Sequence, residues 1–238
     1  MKQFARILAV LLVLLLLAGC GGEPEEVGGQ ITPAGDSTTP VEATEAPNPE
    51  KKAALGRLEG GVYTNSYAGY GCTLDESWTF YTAEELQELP ENVAELLEGS
   101  ELGDQNDFLQ QITDMMAENV NDLTTINVLY QKLSMQERLA YMALNEEQIM
   151  DVTLGQMDAM VDAYAQAGIM VDTMEKTAVT FLGEERTALL TSSTIEDIPY
   201  YSLQLFDYHL GQYSVTLTLA SYVENNTAQL LELFYEVE

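Results

Sequence analysis

Apolar and polar positions follow three different rhythms along this chain. Residues 7–17, from Ile7 to Leu17, are apolar without a break. From Gly21 to about Glu59 large apolar residues almost vanish. Beyond Gly60 they return in periodic sets, and the periods assign elements. Val62–Asn65 and Tyr70–Leu74 are short β-prone runs separated by the turn residues Ser66–Gly69, which predicts a hairpin. Asp75-Glu76-Ser77 then turns the chain into Trp78–Tyr81, and Trp78 is expected to be mostly buried as the first aromatic anchor of the sheet. Thr82 followed by Glu85 is a capping-box signature that starts a helix at Ala83.

The middle reads as helical. A short helix is expected over Glu91–Leu97. Phe108, Ile112, Met115, Met116 and Val120 stand at helical spacing and predict a helix over Asp107–Val120. Thr125–Tyr130 alternates and is β-branched, a strand. Met150, Leu154, Met157, Val161 and Tyr164 form one stripe of a helix from Glu146 to Ala167, ended by Gly168. The last third reads as strands at Lys176–Leu182, Arg186–Ser192, Tyr200–Leu210 and Gln212–Tyr222. In the last of these, Tyr213, Val215, Leu217 and Leu219 face one way, with Ser214, Thr216 and Thr218 opposite. Thr227 starts a closing helix with Leu230, Leu233, Phe234 and Val237 on one side. The expectation is one α+β domain over residues 60–238.

The first 20 residues carry a different message. Lys2 and Arg6 precede the apolar run, and Leu17-Ala18-Gly19-Cys20 follows it. That run is too short to cross a bilayer, which needs roughly 20 residues. The segment resembles the lipobox of bacterial lipoproteins. The resemblance implies cleavage before Cys20, a diacylglycerol on its thiol and acylation of the new amine. An ordinary secretory signal with a chance Cys, or an uncleaved anchor, is the alternative reading. Gly21–Glu59 holds five of the seven prolines and reads as a disordered tether with a reach of roughly 35 Å.

A second resemblance lies in the opening of the domain. Tyr63-Thr64-Asn65, Tyr67, Gly69-Tyr70, Leu74, Trp78 and Thr82–Leu86 are similar to the start of PsbP/Mog1-like domains of bacterial lipoproteins. Asp75 and Ser77 stand where that family's turn has proline and glycine. The resemblance implies an antiparallel sheet with helices on both faces, an αβα sandwich, and a protein-interaction or accessory role.

Charge narrows the partners. The chain has 39 acids, 9 bases and a formal net charge of −30. Such a domain repels phosphate backbones, so no nucleic-acid ligand is expected. Membrane attachment is expected through the lipid anchor alone, with an envelope protein as a candidate partner and a monomer as the state. Only Cys72 remains as a thiol once Cys20 is lipidated, and it reads as a buried small apolar residue.

Candidate chemistry is sparse. His209 is the single histidine, with Asp207 two residues away on the same strand face. No Gly-x-Ser-x-Gly turn, Cys-x-x-Cys, His-Glu-x-x-His or phosphate loop is present. No catalytic, cofactor or metal residues are therefore assigned. Asp151, Asp158 and Asp162 share a helix face and read as solvated. Tyr63, Tyr67, Tyr70, Tyr200 and Tyr201 are the candidate binding surface, since tyrosine packs a ring while keeping a wet hydroxyl. The sequence thus points to a lipid-anchored, non-enzymatic binding or assembly module at the envelope, on the extracytoplasmic face. The alternative is an envelope hydrolase using His209 with carboxylates.

Overall fold

The computed structural model describes residues 55–88, 111–159, 161–166, 168–208 and 211–237. Their strands form two antiparallel sheets. The smaller sheet holds β1 (Arg57–Glu59), β2 (Val62–Asn65), β3 (Tyr70–Thr73) and β11 (Phe234–Glu236), in the order β1-β2-β3-β11. The larger has seven strands: β4 (Thr79–Phe80), β5 (Gln111–Asn119), β6 (Thr124–Lys132), β7 (Ile169–Phe181), β8 (Glu184–Ile195), β9 (Ile198–Asp207) and β10 (Tyr213–Tyr222). Its order is β4-β5-β6-β10-β9-β8-β7. Helices occupy residues 83–88, Met135–Met142, Glu146–Ala159 and Val161–Gln166. A short helix at Thr227–Leu230 runs into a 3-10 turn at Leu231–Leu233.

The smaller sheet lies on one face of the larger, with Tyr63, Tyr70 and Cys72 against Ile126, Val128 and Leu217. The helices cover the other face, where Met150, Met157 and Tyr164 meet Leu189, Phe206 and Ala220. This corrects the expected αβα sandwich. The protein is mostly β, because a second sheet stands where one helix layer was expected. Two local misreadings account for it. Residues 111–119 are a strand rather than a helix. A bulge between Thr113 and Met115 shifts the phase of β5, and Met115 and Met116, neighbours on opposite faces, are both buried because both faces of the sheet are covered. Together these erase the two-residue period and leave spacings that mimic a helix. The closing helix is likewise brief: Phe234 pairs with Cys72 and converts the C-terminus into an edge strand.

The tether boundary also moves. Arg57–Glu59 pairs with Val62–Thr64, so the sheet takes in residues expected to be linker. The Asp114 carboxylate, aimed by the bulge, fixes the junction. It accepts from the Gly56 backbone N–H at 2.8 and 2.9 Å, from the Tyr63 hydroxyl at 2.5 Å and from Asn65 Nδ2 at 2.8 Å. Asn65 Nδ2 also donates to the Tyr130 hydroxyl at 2.6 Å. Burial raises the Asp114 pKa, against the pull of these hydrogen bonds. Gly56 is required here, because an added Cβ would lie 2.3 Å from the Tyr63 ring.

The expected signals of capping are present. Glu85 accepts from Thr82 N at 2.8 Å and Thr82 Oγ1 accepts from Glu85 N at 3.3 Å. The Met135–Met142 helix has the same capping box at Ser134 and Glu137, yet was not expected, since it buries only Tyr141 and shows no apolar stripe to the core. The helix predicted from Glu146 forms as two segments, with Met150, Met157 and Tyr164 buried. Asp151, Asp158 and Asp162 are exposed as expected, and Asp151 pairs with Lys176 at 2.5 Å. Cys72 is fully buried, and burial pushes its thiol up to about 12. It is expected to react with a thiol reagent at pH 8 only after denaturation, and reaction in the folded protein would contradict its placement.

The helix-facing side of the larger sheet is unusually polar. Thr125, Asn127, Thr191, Ser193, Ser202 and Gln204 are all buried there. Gln204 Nε2 donates to Thr218 Oγ1 at 3.3 Å, but the Thr191 and Ser202 hydroxyls have no partner.

Candidate ligand-binding cleft

Three turns meet at the end of the larger sheet where the β5–β6 hairpin closes. They are Asp75–Trp78 after β3, Asn119–Thr124 between β5 and β6, and Tyr222–Asn226 after β10. Gln229, Leu230 and Leu233 close the remaining side. The space between them is a cleft of about 650 Å³, within the size range of small-molecule sites.

Short polar residues build each wall. Asp75 Oδ1 accepts from the Ser77 backbone N–H at 2.8 Å and from the Ser77 hydroxyl. The Trp78 N–H bonds the Asp75 carbonyl at 3.1 Å. This tight turn swings the indole into the cleft with its inner side on the inter-sheet core. Trp78 is therefore only partly buried, which corrects the expectation of a mostly buried anchor. The Ser77 hydroxyl and N–H hold the Asp75 carboxyl below its ordinary range, so it stays ionised.

Asn119, 3% exposed, organises the hairpin wall. Its Oδ1 accepts from Asn121 N at 3.0 Å and Asp122 N at 3.3 Å. Its Nδ2 donates to Asp122 Oδ2 at 2.9 Å and to Ser77 Oγ at 3.0 Å. A continuous chain from Asp75 through Ser77 and Asn119 to Asp122 thus ties two turns together. Two of the five described non-glycine residues at positive φ sit at the same place. Leu123 has φ 53 and Val223 has φ 69, and a β-branched residue at positive φ is a true outlier. Such residues cost on the order of 1–3 kcal/mol each and persist only where surrounding structure holds them. Here Tyr222 N bonds Leu123 O at 3.0 Å, and Val223 N bonds Pro199 O at 2.9 Å.

Two hydroxyls behind the cleft wall lack partners, and they point to opposite faces of the larger sheet: Thr124 shares the face of Ile126 and Val128, and Tyr222 that of Ala220. Thr124 is 3% exposed and Tyr222 6%, and both Oγ1 and OH are without a hydrogen bond. Burial raises the Tyr222 phenol, so it remains a protonated donor at neutral pH. The charges are of one sign: Asp75, Asp122 and Glu224 line the cleft, and no lysine or arginine does.

A second cavity, of about 350 Å³, surrounds Arg186. Its guanidinium is occupied by Glu146 at 2.8 Å, Asp207 at 3.0 Å and the Phe206 carbonyl at 3.3 Å. Asp207, expected beside His209, is thus held by an arginine. His209 and Cys20 lie outside the described residues. No group of metal-ligating side chains assembles among the described residues.

The tyrosines are placed otherwise than expected. Tyr63, Tyr67, Tyr70 and Tyr200 are buried and Tyr201 is partly buried. Tyr63 serves the Asp114 network. Tyr67 packs on Tyr130 with ring centres 5.7 Å apart, and Tyr70 meets Phe181 and Phe234 edge-on. Buried rings present no open binding surface. Tyr200 packs on the Tyr222 ring, with centres 4.9 Å apart, on the helix-facing side of the larger sheet. The cleft residues Asn119, Asn121, Asp122, Thr124, Asn226 and Gln229 were not singled out from sequence. Their one signal is the amide-rich composition of two turns, which turn propensity alone explains.

No family model matches this chain, and a search of curated proteins finds none similar to it.

Proposed function

We propose that this protein is a lipoprotein anchored through Cys20 to the extracytoplasmic face of the membrane, acting as a non-enzymatic binding module with its ligand in the Trp78 cleft. The observation that carries the reading is the cleft itself, about 650 Å³ in volume and lined by the half-buried Trp78 beside the exposed amides of Asn121 and Gln229. Binding is favoured over hydrolysis by how the cleft carboxylates are employed: Asp75 is bonded to its own turn and Asp122 to Asn119. Cys20 and a tether with a root-mean-square reach of roughly 35 Å would stand the domain off the membrane.

Two measurements test the reading. Cys20→Ser is expected to release the protein from membranes or leave unprocessed precursor; mature-sized, membrane-bound Cys20→Ser protein defeats the anchor. A photo-crosslinking residue at Gln229 is expected to form a discrete mass adduct in living cells, while the same residue at Glu175 on the distal strand β7 forms none. Equal labelling at both positions, or at neither, removes the cleft as the site.

A further inference from the structure

Resting on that reading, we infer that the ligand is a segment of another protein that seats an aliphatic or aromatic side chain, flanked by lysines or arginines, in the Trp78 cleft. Two apolar side chains at the cleft rim carry the inference. Leu123 and Val223 line the cleft and are 41% and 55% exposed. Both stand at positive φ, where glycine, asparagine and aspartate are the usual residues. Folding gains little from an exposed aliphatic side chain at such a position. Glycine would relieve the backbone, and a polar residue would suit the water. Side chains kept there at that cost serve a contact with another molecule.

The two rim positions are held in place. The Tyr222 N–H donates to Leu123 O and the Val223 N–H to Pro199 O, which ties the β5–β6 turn to the turn after β10. Beside them Trp78, Leu230 and Leu233 form an apolar wall backed by the core between the sheets. The cleft thus offers a preformed seat for an apolar anchor, the feature that dominates binding at protein interfaces. Apolar surface also continues past the cleft: Val120, 64% exposed, stands on the same hairpin turn. A small molecule in the cleft leaves that surface in water, whereas a polypeptide crossing the rim covers it. The carboxamides of Asn121, Asn226 and Gln229 each offer a donor and an acceptor, as a peptide backbone requires.

Charge selects the partner. Asp75, Asp122 and Glu224 surround the apolar seat, no lysine or arginine lines it, and the chain carries a formal net charge of −30. Asp75 and Asp122 are bonded within their turns and exposed, so they act on a partner through their field rather than through a fixed contact. That field repels a second copy of this chain and anionic surfaces, and it favours a basic segment.

A phage-displayed library of random dodecapeptides is panned on the full chain, purified in detergent, after depletion on Asn121→Arg protein. Enriched peptides are expected to carry an aliphatic or aromatic residue flanked by lysine or arginine. A selected peptide, synthesised without tryptophan, is expected to shift the emission of Trp78, the only tryptophan of the chain. Val223→Gly is expected to weaken that peptide on the order of tenfold, the loss of one aliphatic contact, with a Tm equal to or above that of wild type. Leu123→Asn is expected to weaken it similarly. Asp122→Asn combined with Glu224→Gln is expected to weaken it and to flatten its salt dependence.

Enriched sequences without basic residues overturn the charge part, as does unchanged affinity in the double variant. Unchanged affinity in Val223→Gly and Leu123→Asn overturns the apolar part. So does a clearly lowered Tm of Val223→Gly, which would show that this side chain serves the fold. Enrichment of no peptide overturns the whole inference. A Gln229 adduct of small-molecule mass in cells then leaves the cleft standing as a small-ligand site, and the absence of any adduct removes the cleft as well.

Discussion

Asp114→Ala is expected to lower the unfolding free energy of the domain by about 2–5 kcal/mol, the largest single-site effect outside the apolar core. The substitution leaves the Gly56 N–H and the Tyr63 hydroxyl without the acceptor that holds them at 2.8 and 2.5 Å. Urea unfolding checks the value, and a loss under about 1 kcal/mol would show that the network contributes little. Its pH dependence follows from the raised Asp114 pKa, which burial causes. A carboxyl whose folded pKa lies above its unfolded one binds its proton more tightly when folded. Its stabilising contribution is complete below the unfolded pKa and is lost as pH rises through the folded pKa. The stability gap between wild type and Asp114→Asn is therefore expected to favour wild type more at pH 4 than at pH 7. The opposite slope would mean that hydrogen bonding outweighs burial at this carboxyl.

The second large effect has the opposite sign. Thr191 and Ser202 face one another across β8 and β9, both fully buried and both with hydroxyls lacking partners. Thr191→Val keeps the volume and Ser202→Ala removes one oxygen. Each is expected to raise stability by about 1–2 kcal/mol, because an unpartnered buried hydroxyl carries a desolvation cost without a bond. The double variant is expected to raise the urea midpoint clearly above wild type. Most buried substitutions destabilise, so a gain is diagnostic. A lowered midpoint would show that these hydroxyls are hydrogen-bonded in the folded protein.

Elements that depend on neighbours in the chain are legible from local signals. Thr82 and Glu85 announced their cap, the β2–β3 hairpin was readable from its turn residues, and the stripe from Met150 to Tyr164 named its buried face. Strands β6, β8, β9 and β10 lie close to their expected positions. What failed depends on pairing across distance. Phe234 became a strand residue because Cys72 offered it an edge. Met115 and Met116 read as helical because both faces of the larger sheet are covered, so two adjacent strand residues are both apolar and buried. The second sheet could not be inferred, since its strands come from opposite ends of the described domain. The cleft was hidden for the same reason. Asp75, Asn119 and Gln229 lie in three separate turns, and each turn alone looks like ordinary chain reversal.

The central claim is that this domain works by holding a ligand in the Trp78 cleft. It is tested most directly by complementing a deletion strain, at matched abundance, with wild type, with Asn121→Arg and with His209→Ala. Asn121 is exposed on the cleft wall, so a long cationic side chain there fills the space and neutralises its acidic lining with little burden on the fold. Loss of function with Asn121→Arg, unchanged circular dichroism, and full function with His209→Ala is the result expected. Full function with the cleft filled, or its loss with His209→Ala alone in a folded protein, would contradict the claim and move the working site to the strand that ends beside Asp207.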